Sequence, residues 1–279
     1  MKTANLSKTR MAYVEEGDGI PVLLVHGFPL DHTMWDPQIA ALAPHARVIA
    51  PDLRGFGATP PAAGDAERGV SMEDHANDLN ELLDALGIRE PIVLAGLSMG
   101  GYVAWQFVRQ HGHRLRALVL CDTRAKADTE EARAGRLKMA EAVAKEGARL
   151  AADAMEPKLF RKAAFDKQPE VVAAIRATML RQTPAAIAAA QRGMAVRPDV
   201  TEMLPHITVP TLVLVGVEDA IATPAEMKQI ADAIPGAEYV VIPESGHMTT
   251  VENPAATNAA LVKFVGAATL PYDRLATEH

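Results

Sequence analysis

The residues of this chain that could do chemistry form one ordered set. Ser98 stands in Gly96-Leu97-Ser98-Met99-Gly100-Gly101, between the apolar run Pro91-Ile92-Val93-Leu94-Ala95 and the helix-like run Tyr102-Val103-Ala104-Trp105-Gln106-Phe107-Val108. A Gly-x-Ser-x-Gly between strand and helix reads as a nucleophile elbow. The serine occupies a tight, strained turn, and its glycine neighbours let strand and helix approach. Its hydroxyl is then exposed at a helix N-terminus whose dipole favours an oxyanion. Such a pattern arises by chance in about one chain in ten of this length, so it needs partners. A serine hydroxyl is a poor nucleophile at neutral pH and requires a base within hydrogen-bond reach, and a carboxylate to orient that base.

Partners for an elbow of this kind follow in the order serine, acid, histidine. His247, in Glu244-Ser245-Gly246-His247-Met248, lies in a loop after the last apolar strand and is the candidate base. His111 and His113 sit where the elbow helix ends, a common surface position, and His206 lies in a segment leading back to the sheet. For the acid, Glu218 and Asp219 follow the apolar run Thr211-Leu212-Val213-Leu214-Val215-Gly216. Chemistry in open α/β sheets gathers just beyond strand C-termini. Asp122, after Leu118-Val119-Leu120-Cys121, competes on the same ground. Two backbone N–H groups are needed for an oxyanion: that of Met99, after the nucleophile, and that of Phe28 in His26-Gly27-Phe28-Pro29. Pro29 has no N–H to offer, and His26 is expected to hold this loop by hydrogen bonds.

These groups must be positioned by the elements around them. Residues 10–15 alternate as a strand, ended by Gly17-Asp18-Gly19 as a hairpin-type turn. Pro21-Val22-Leu23-Leu24-Val25 is apolar without alternation, as in a parallel-sheet strand buried on both faces. A helix over about 34–42 and a strand over 46–50 come next, followed by the glycine-rich loop Pro51-Asp52-Leu53-Arg54-Gly55-Phe56-Gly57. Ser71-Met72-Glu73-Asp74 reads as a capping box for a helix ending at Gly87. The elbow and a strand over 115–121 continue the α/β alternation, which predicts helices on both faces of a mostly parallel sheet. From about 124 to 200 there is no strand pattern, only helical stretches at 130–147, 149–154, 170–180 and 184–195. One crossover helix suffices to join parallel strands, so this block reads as a helical cap (124–200) inserted into a core of 1–123 and 201–279. The sheet resumes at 211–216 and 238–242, with helices at about 224–234 and 254–267. The tail 269–279 shows no pattern and is expected to be loosely held.

Totals limit the function classes. The chain has 279 residues, a formal charge of −7 and a single cysteine, with a pI near 5.7. An acidic balance argues against nucleic acid or an anionic membrane as partner. The lone Cys121, inside an apolar run, reads as a buried inert thiol. Residues 1–10 are polar with no signal-peptide pattern, and no run approaches the roughly 20 apolar residues of a spanning helix; a cytoplasmic protein is expected. No metal-spacing cluster of His or Cys is present, and no cofactor is called for. Oligomeric state is not readable.

Taken together, His26-Gly27-Phe28-Pro29, Asp52-Leu53-Arg54-Gly55-Phe56-Gly57, the elbow, Gly216-x-x-Asp219 and Gly246-His247 resemble the α/β-hydrolase superfamily with a helical cap, over roughly residues 22–264. That resemblance implies Ser98 as nucleophile, His247 as base and Asp219, rather than Asp122, as acid. Met34-Trp35-Asp36-Pro37-Gln38 and the elbow look like 3-oxoadipate enol-lactonases, while the His-Gly-Phe-Pro loop looks more like cofactor-free haloperoxidases and small carboxylesterases. The expected activity is hydrolysis of a small-molecule carboxylic ester or lactone through an acyl-enzyme. Perhydrolysis at the same groups and a non-catalytic ligand-binding role are the alternatives. In the cap, Met139, Met155, Leu159, Phe160, Met179 and Met194 could line an acyl pocket, though helical spacing favours plain core for most. Arg124, Arg161 and Arg181 could meet a substrate carboxylate, against the plainer role of solvated surface charge.

Overall fold

A computed structural model describes residues 1–268; the expectation for the tail falls outside them. Eight strands form one sheet: β1 (Lys2–Asn5), β2 (Arg10–Glu16), β3 (Pro21–Val25), β4 (Arg47–Pro51), β5 (Ile92–Leu97), β6 (Leu115–Cys121), β7 (Thr211–Gly216) and β8 (Glu238–Ile242). Their spatial order is β1-β2-β4-β3-β5-β6-β7-β8. From β4 through β8 every pairing is parallel, while β1–β2 and β2–β4 are antiparallel. Gly17-Asp18-Gly19 therefore does not close a hairpin. The chain leaves β2 and passes over β4 before entering β3, since the wholly apolar β3 needs neighbours on both edges and cover on both faces. Strand β1 escaped the sequence pattern: only one of its four residues, Ala4, is buried.

Each central strand feeds two cores. Leu23, Val25, Leu94, Leu118, Leu120, Val213 and Val215 pack on one face, and Val22, Leu24, Val93, Ala95, Val119, Cys121, Leu212 and Leu214 on the other. This is the period of two expected of pleated strands. Burying each valine or leucine among them is worth about 1.5–3 kcal/mol. The first face is covered by α3 (Met72–Ala85), α4 (Met99–His111) and α10 (Pro224–Ala233) through Leu79, Leu83, Val103, Phe107 and Ile230. The second is covered by α1 (Asp36–Leu42) and α12 (Pro254–Ala268) through Ile39, Leu42, Leu261 and Phe264. The short turns α2 (Asp65–Arg68) and α11 (Thr249–Glu252) lie in loops. Ser71 caps α3 as its sequence predicts: its hydroxyl accepts from the Asp74 N–H at 3.0 Å while the Asp74 carboxylate accepts from the Ser71 N–H at 3.2 Å.

Between β6 and β7 lie five consecutive helices, α5 (Glu130–Glu146), α6 (Ala148–Leu159), α7 (Ala164–Lys167), α8 (Pro169–Arg181) and α9 (Pro184–Ala195). They pack mainly on one another, α5 on α9 and α6 on α8. Among the described residues no helix is long and apolar enough to cross a membrane.

Candidate active site

The elbow is built as its glycines require. Ser98 joins β5 to α4 with φ 54° and ψ −112°, a region that costs a non-glycine residue about 1–3 kcal/mol and is held only by its surroundings. A Cβ on Gly96 would lie 2.3 Å from the Gly100 carbonyl oxygen, and one on Gly100 2.1 Å from that of Val25. Strand and helix thus touch backbone to backbone. The turn is further fixed by the Ser98 N–H donating to the Cys121 carbonyl at 2.9 Å and the Thr123 hydroxyl donating to the Ser98 carbonyl at 2.8 Å.

His247 and Asp219 come together from the loops after β8 and β7. His247 Nδ1 donates to Asp219 Oδ2 at 2.8 Å, with both side chains buried. Asp219 Oδ1 accepts the N–H groups of Ile221 at 2.7 Å and Ala222 at 3.0 Å. Three donors thus converge on this carboxylate. Nε2 of His247 is buried with no hydrogen-bond partner in the protein. Behind it the loop is braced: the His247 N–H donates to the Leu159 carbonyl at 2.9 Å, and the Gly246 N–H to Glu252 at 2.7 Å. Glu252 also accepts the Arg161 N–H at 3.1 Å. The inserted helices therefore hold the histidine loop directly.

Asp122 is close by. It is fully buried at the end of β6 with φ 47°, and its ligand atoms lie within 4.8 Å of those of Asp219 and His247. It accepts from the Gly216 N–H at 2.9 Å and contacts the Thr249 hydroxyl at 2.5 Å. Burial first, and then the Asp219 charge, push its carboxyl well above the usual range. Both carboxylates ionised at such a separation would repel by about 3–4 kcal/mol even at an effective dielectric of 20. Of the two acids that the sequence leaves open, Asp219 is the one bonded to His247, and Asp122 stands next to it. Glu218 is half-exposed and faces Arg161.

Ser98 opens into a cavity of 310 Å³ lined by Phe28, Tyr102, Arg124, Arg136, Met155, Lys158, Met194, Ala220 and Ile221. Three of these residues are cationic and none is acidic. Arg124 pairs with Glu226 at 3.1 Å. Arg136 and Arg197 share Asp128 at 2.5 and 2.7 Å; burial alone would raise that carboxyl, but the two guanidinium groups hold it below its usual range. Arg197 in turn stacks 4.2 Å from the Tyr102 ring centroid. Met99 is buried at the first position of α4, and neither its N–H nor that of Phe28 donates to a backbone acceptor outside the regular elements. His26 ties the Phe28 loop down: its Nε2 accepts the Leu53 N–H at 2.9 Å, so Nδ1 carries the hydrogen given to the Gly27 carbonyl. Burial lowers its basicity.

Several candidates lie elsewhere. His111 bonds Asn77 and is partly buried, while His113 and His206 are exposed. Arg161 is encircled by Glu218, Glu244 and Glu252 at 3.8–4.0 Å, and Arg181 pairs with Asp31 at 3.2 Å. Of the cap candidates, Met155 and Met194 line the cavity, whereas Leu159, Phe160 and Met179 belong to packed core and Met139 packs against it. Arg136 and Lys158 were not distinguishable in sequence, because only the folding back of α5 and α6 over Ser98 separates them from other helix-surface cations. Among the described residues, two triplets, Asp31–His32–Asp52 and Asp122–Asp219–His247, bring possible metal-ligating atoms together. In both, the carboxylate oxygens already engage N–H or O–H groups of the protein.

Comparison with known proteins identifies the family. The model of the alpha/beta hydrolase fold family matches residues 20–254. A thermophilic esterase from Thermogutta terrifontis, solved with malate bound, is 43% identical over 97% of this chain and 100% of its own, with a TM-score of 0.94. The enol-lactonase of Burkholderia xenovorans LB400 is 30% identical over 95% and 99%, with a TM-score of 0.85. 3-Oxoadipate enol-lactonase 1 of Acinetobacter baylyi is 29% identical over 91% of this chain and 92% of its own. The family model spans most of the chain and the solved relatives share its fold, so the chain belongs to the alpha/beta hydrolase fold family of enzymes.

Proposed function

We propose that the protein is a serine hydrolase that cleaves a carboxylic ester or lactone through an acyl-enzyme. The observation that carries this is the cavity wall itself: Ser98, held at a strained φ, opens into it, and the buried Asp219–His247 pair leaves Nε2 unpartnered. Ser98 Oγ attacks the carbonyl carbon while His247 Nε2 takes its proton. Asp219 keeps Nδ1 protonated and stabilises the imidazolium. The N–H groups of Phe28 and Met99 receive the oxyanion, each worth about 3–4 kcal/mol in sites of this type. His247 then gives its proton to the leaving oxygen, and water cleaves the acyl-enzyme by the reverse sequence. Peroxide in place of water would yield a peracid from the same groups. Helices α5–α9 act as the cap and supply the acyl pocket.

The cavity also favours one kind of substrate. Arg124, Arg136 and Lys158 face it with no acidic counterpart in the lining, so an ester or lactone bearing a carboxylate away from the scissile bond is preferred. The malate-bound esterase and the enol-lactonase among its relatives are consistent with that preference. A fluorophosphonate probe should label Ser98, and Ser98→Ala should lose both labelling and esterase activity; retained activity sinks the proposal. Lys158→Met should raise KM for mono-p-nitrophenyl glutarate about tenfold, as loss of one charge contact predicts, and leave p-nitrophenyl butyrate unchanged. Equal effects on both esters would remove the charge preference.

A further inference from the structure

Asp122 is a buried acid that the proposed reaction does not use. It lies at the end of β6 with a left-handed backbone, fully buried, within 4.8 Å of both the Asp219 carboxylate and the His247 imidazole. Two ionised carboxylates cannot share so dry a site, and one must hold a proton. Donor geometry decides which. Asp219 receives three N–H groups, from Ile221, Ala222 and His247. Asp122 receives only one, from Gly216. Its other oxygen faces the Thr249 hydroxyl, which can accept as well as donate.

We propose that Asp122 is a positioning residue that stays protonated at neutral pH and shares its hydrogen with Asp219, so that one negative charge, on Asp219, faces His247. The neutral acid lets Asp219 be ringed by donors on every side, which fixes its carboxylate plane and moderates the basicity it confers on the imidazole. The other ionisable groups near the network are few. Cys121 precedes Asp122, and burial pushes its thiol up. Glu252 on α11 and Arg161 from the inserted helices stand behind Gly246, and the half-exposed Glu218 faces Arg161.

Two substitutions separate a neutral from an ionised Asp122, and both tolerate the left-handed backbone. This arm rests on His247 being the catalytic base. Asp122→Asn keeps a neutral donor, so kcat/KM should stay within about threefold and the acidic limb of its pH profile should not move. Asp122→Gly removes the donor, and that limb should move up by about one pH unit. A limb that falls by a unit in Asp122→Asn would show that a charge had been removed, and a limb unmoved in Asp122→Gly would show no coupling; either overturns the proposal. A merely structural role would alter the amount of fluorophosphonate-titratable enzyme without moving the limb. Should neither variant fold, the wild-type protein labelled with carboxyl-13C aspartate decides. One neutral aspartic acid signal should persist at pH 8, where Asp78, pushed up to about 6, is ionised, and it should shift when Ser98 is phosphonylated. Absence of such a signal overturns the proposal. Activity surviving in Ser98→Ala would instead overturn the serine-hydrolase proposal and leave the neutral-carboxyl signal standing.

Discussion

Two buried aspartate–histidine pairs in this molecule look alike and sit in different surroundings. In one, Asp219 accepts Nδ1–H of His247 at 2.8 Å and two backbone N–H groups. In the other, Asp52 accepts from His32 Nδ1 at 2.6 Å, the His32 N–H at 2.9 Å and the Ala58 N–H at 2.8 Å. The carboxylate environments are nearly interchangeable. What differs is the far side of the imidazole. His247 is buried, with an unpartnered Nε2, in the loop after β8 and beside both Asp219 and Asp122. His32 lines a separate cavity of 450 Å³ with Asp31, Arg181 and Gln182, and no serine or cysteine is in its lining. There Asp52 binds the loop after β4 to the turn after β3. The hydrogen bond to Asp52 raises the His32 pKa against the opposing effect of burial. An oriented imidazole is thus common structural material, and only the one that follows the elbow in the order serine, acid, histidine is a candidate for catalysis.

The largest expected contrast comes from removing the imidazoles. His247→Ala, like Ser98→Ala, should lower kcat by about 10⁵–10⁶-fold, whereas His32→Ala should leave kcat within about threefold; esterase assays normalised to folded protein read this directly. Next come the acids. Asp219→Asn should cost about 10⁴-fold in kcat through the wrong imidazole tautomer, while Asp52→Asn should act on stability instead. Weakening that charge-assisted network should cost about 2 kcal/mol and lower Tm by about 5 °C. A fall in kcat comparable to that of Asp219→Asn would show that the two pairs are coupled. The smallest effect is a pH dependence. Because folding raises the His32 pKa, its stabilisation is complete below the unfolded value of about 6.5 and is lost as pH rises through the folded value. The stability difference between wild type and His32→Asn should therefore shrink from pH 6 to pH 9 in urea titrations. A difference that grows over that range would refute the assignment.

Local pattern carried much of the fold. Apolar strands without alternation, the Ser71 cap, and the glycines of the elbow each express a constraint felt within a few residues, so their positions are legible. Strand β1 was not legible, because an edge strand with one buried residue has no pattern to show. Nor was the neighbour of β2, since pairing with β4 or β3 is decided by which strands need cover, not by the turn between them. Helix α6 extends past the 149–154 stretch to Leu159, with Pro157 inside it.

By itself the sequence determined the elbow, the order of serine, acid and histidine, and the alternation that builds a parallel sheet, because each is a matter of spacing along one chain. Only the tertiary structure decided that His247 meets Asp219 while Asp122 stands against both, and that Arg136 and Lys158 rather than Arg161 and Arg181 face the cavity. Charges on helix surfaces look the same in sequence whether they meet solvent, a glutamate or a substrate. Their roles depend on which distant segments the packing of two cores and five inserted helices brings beside them.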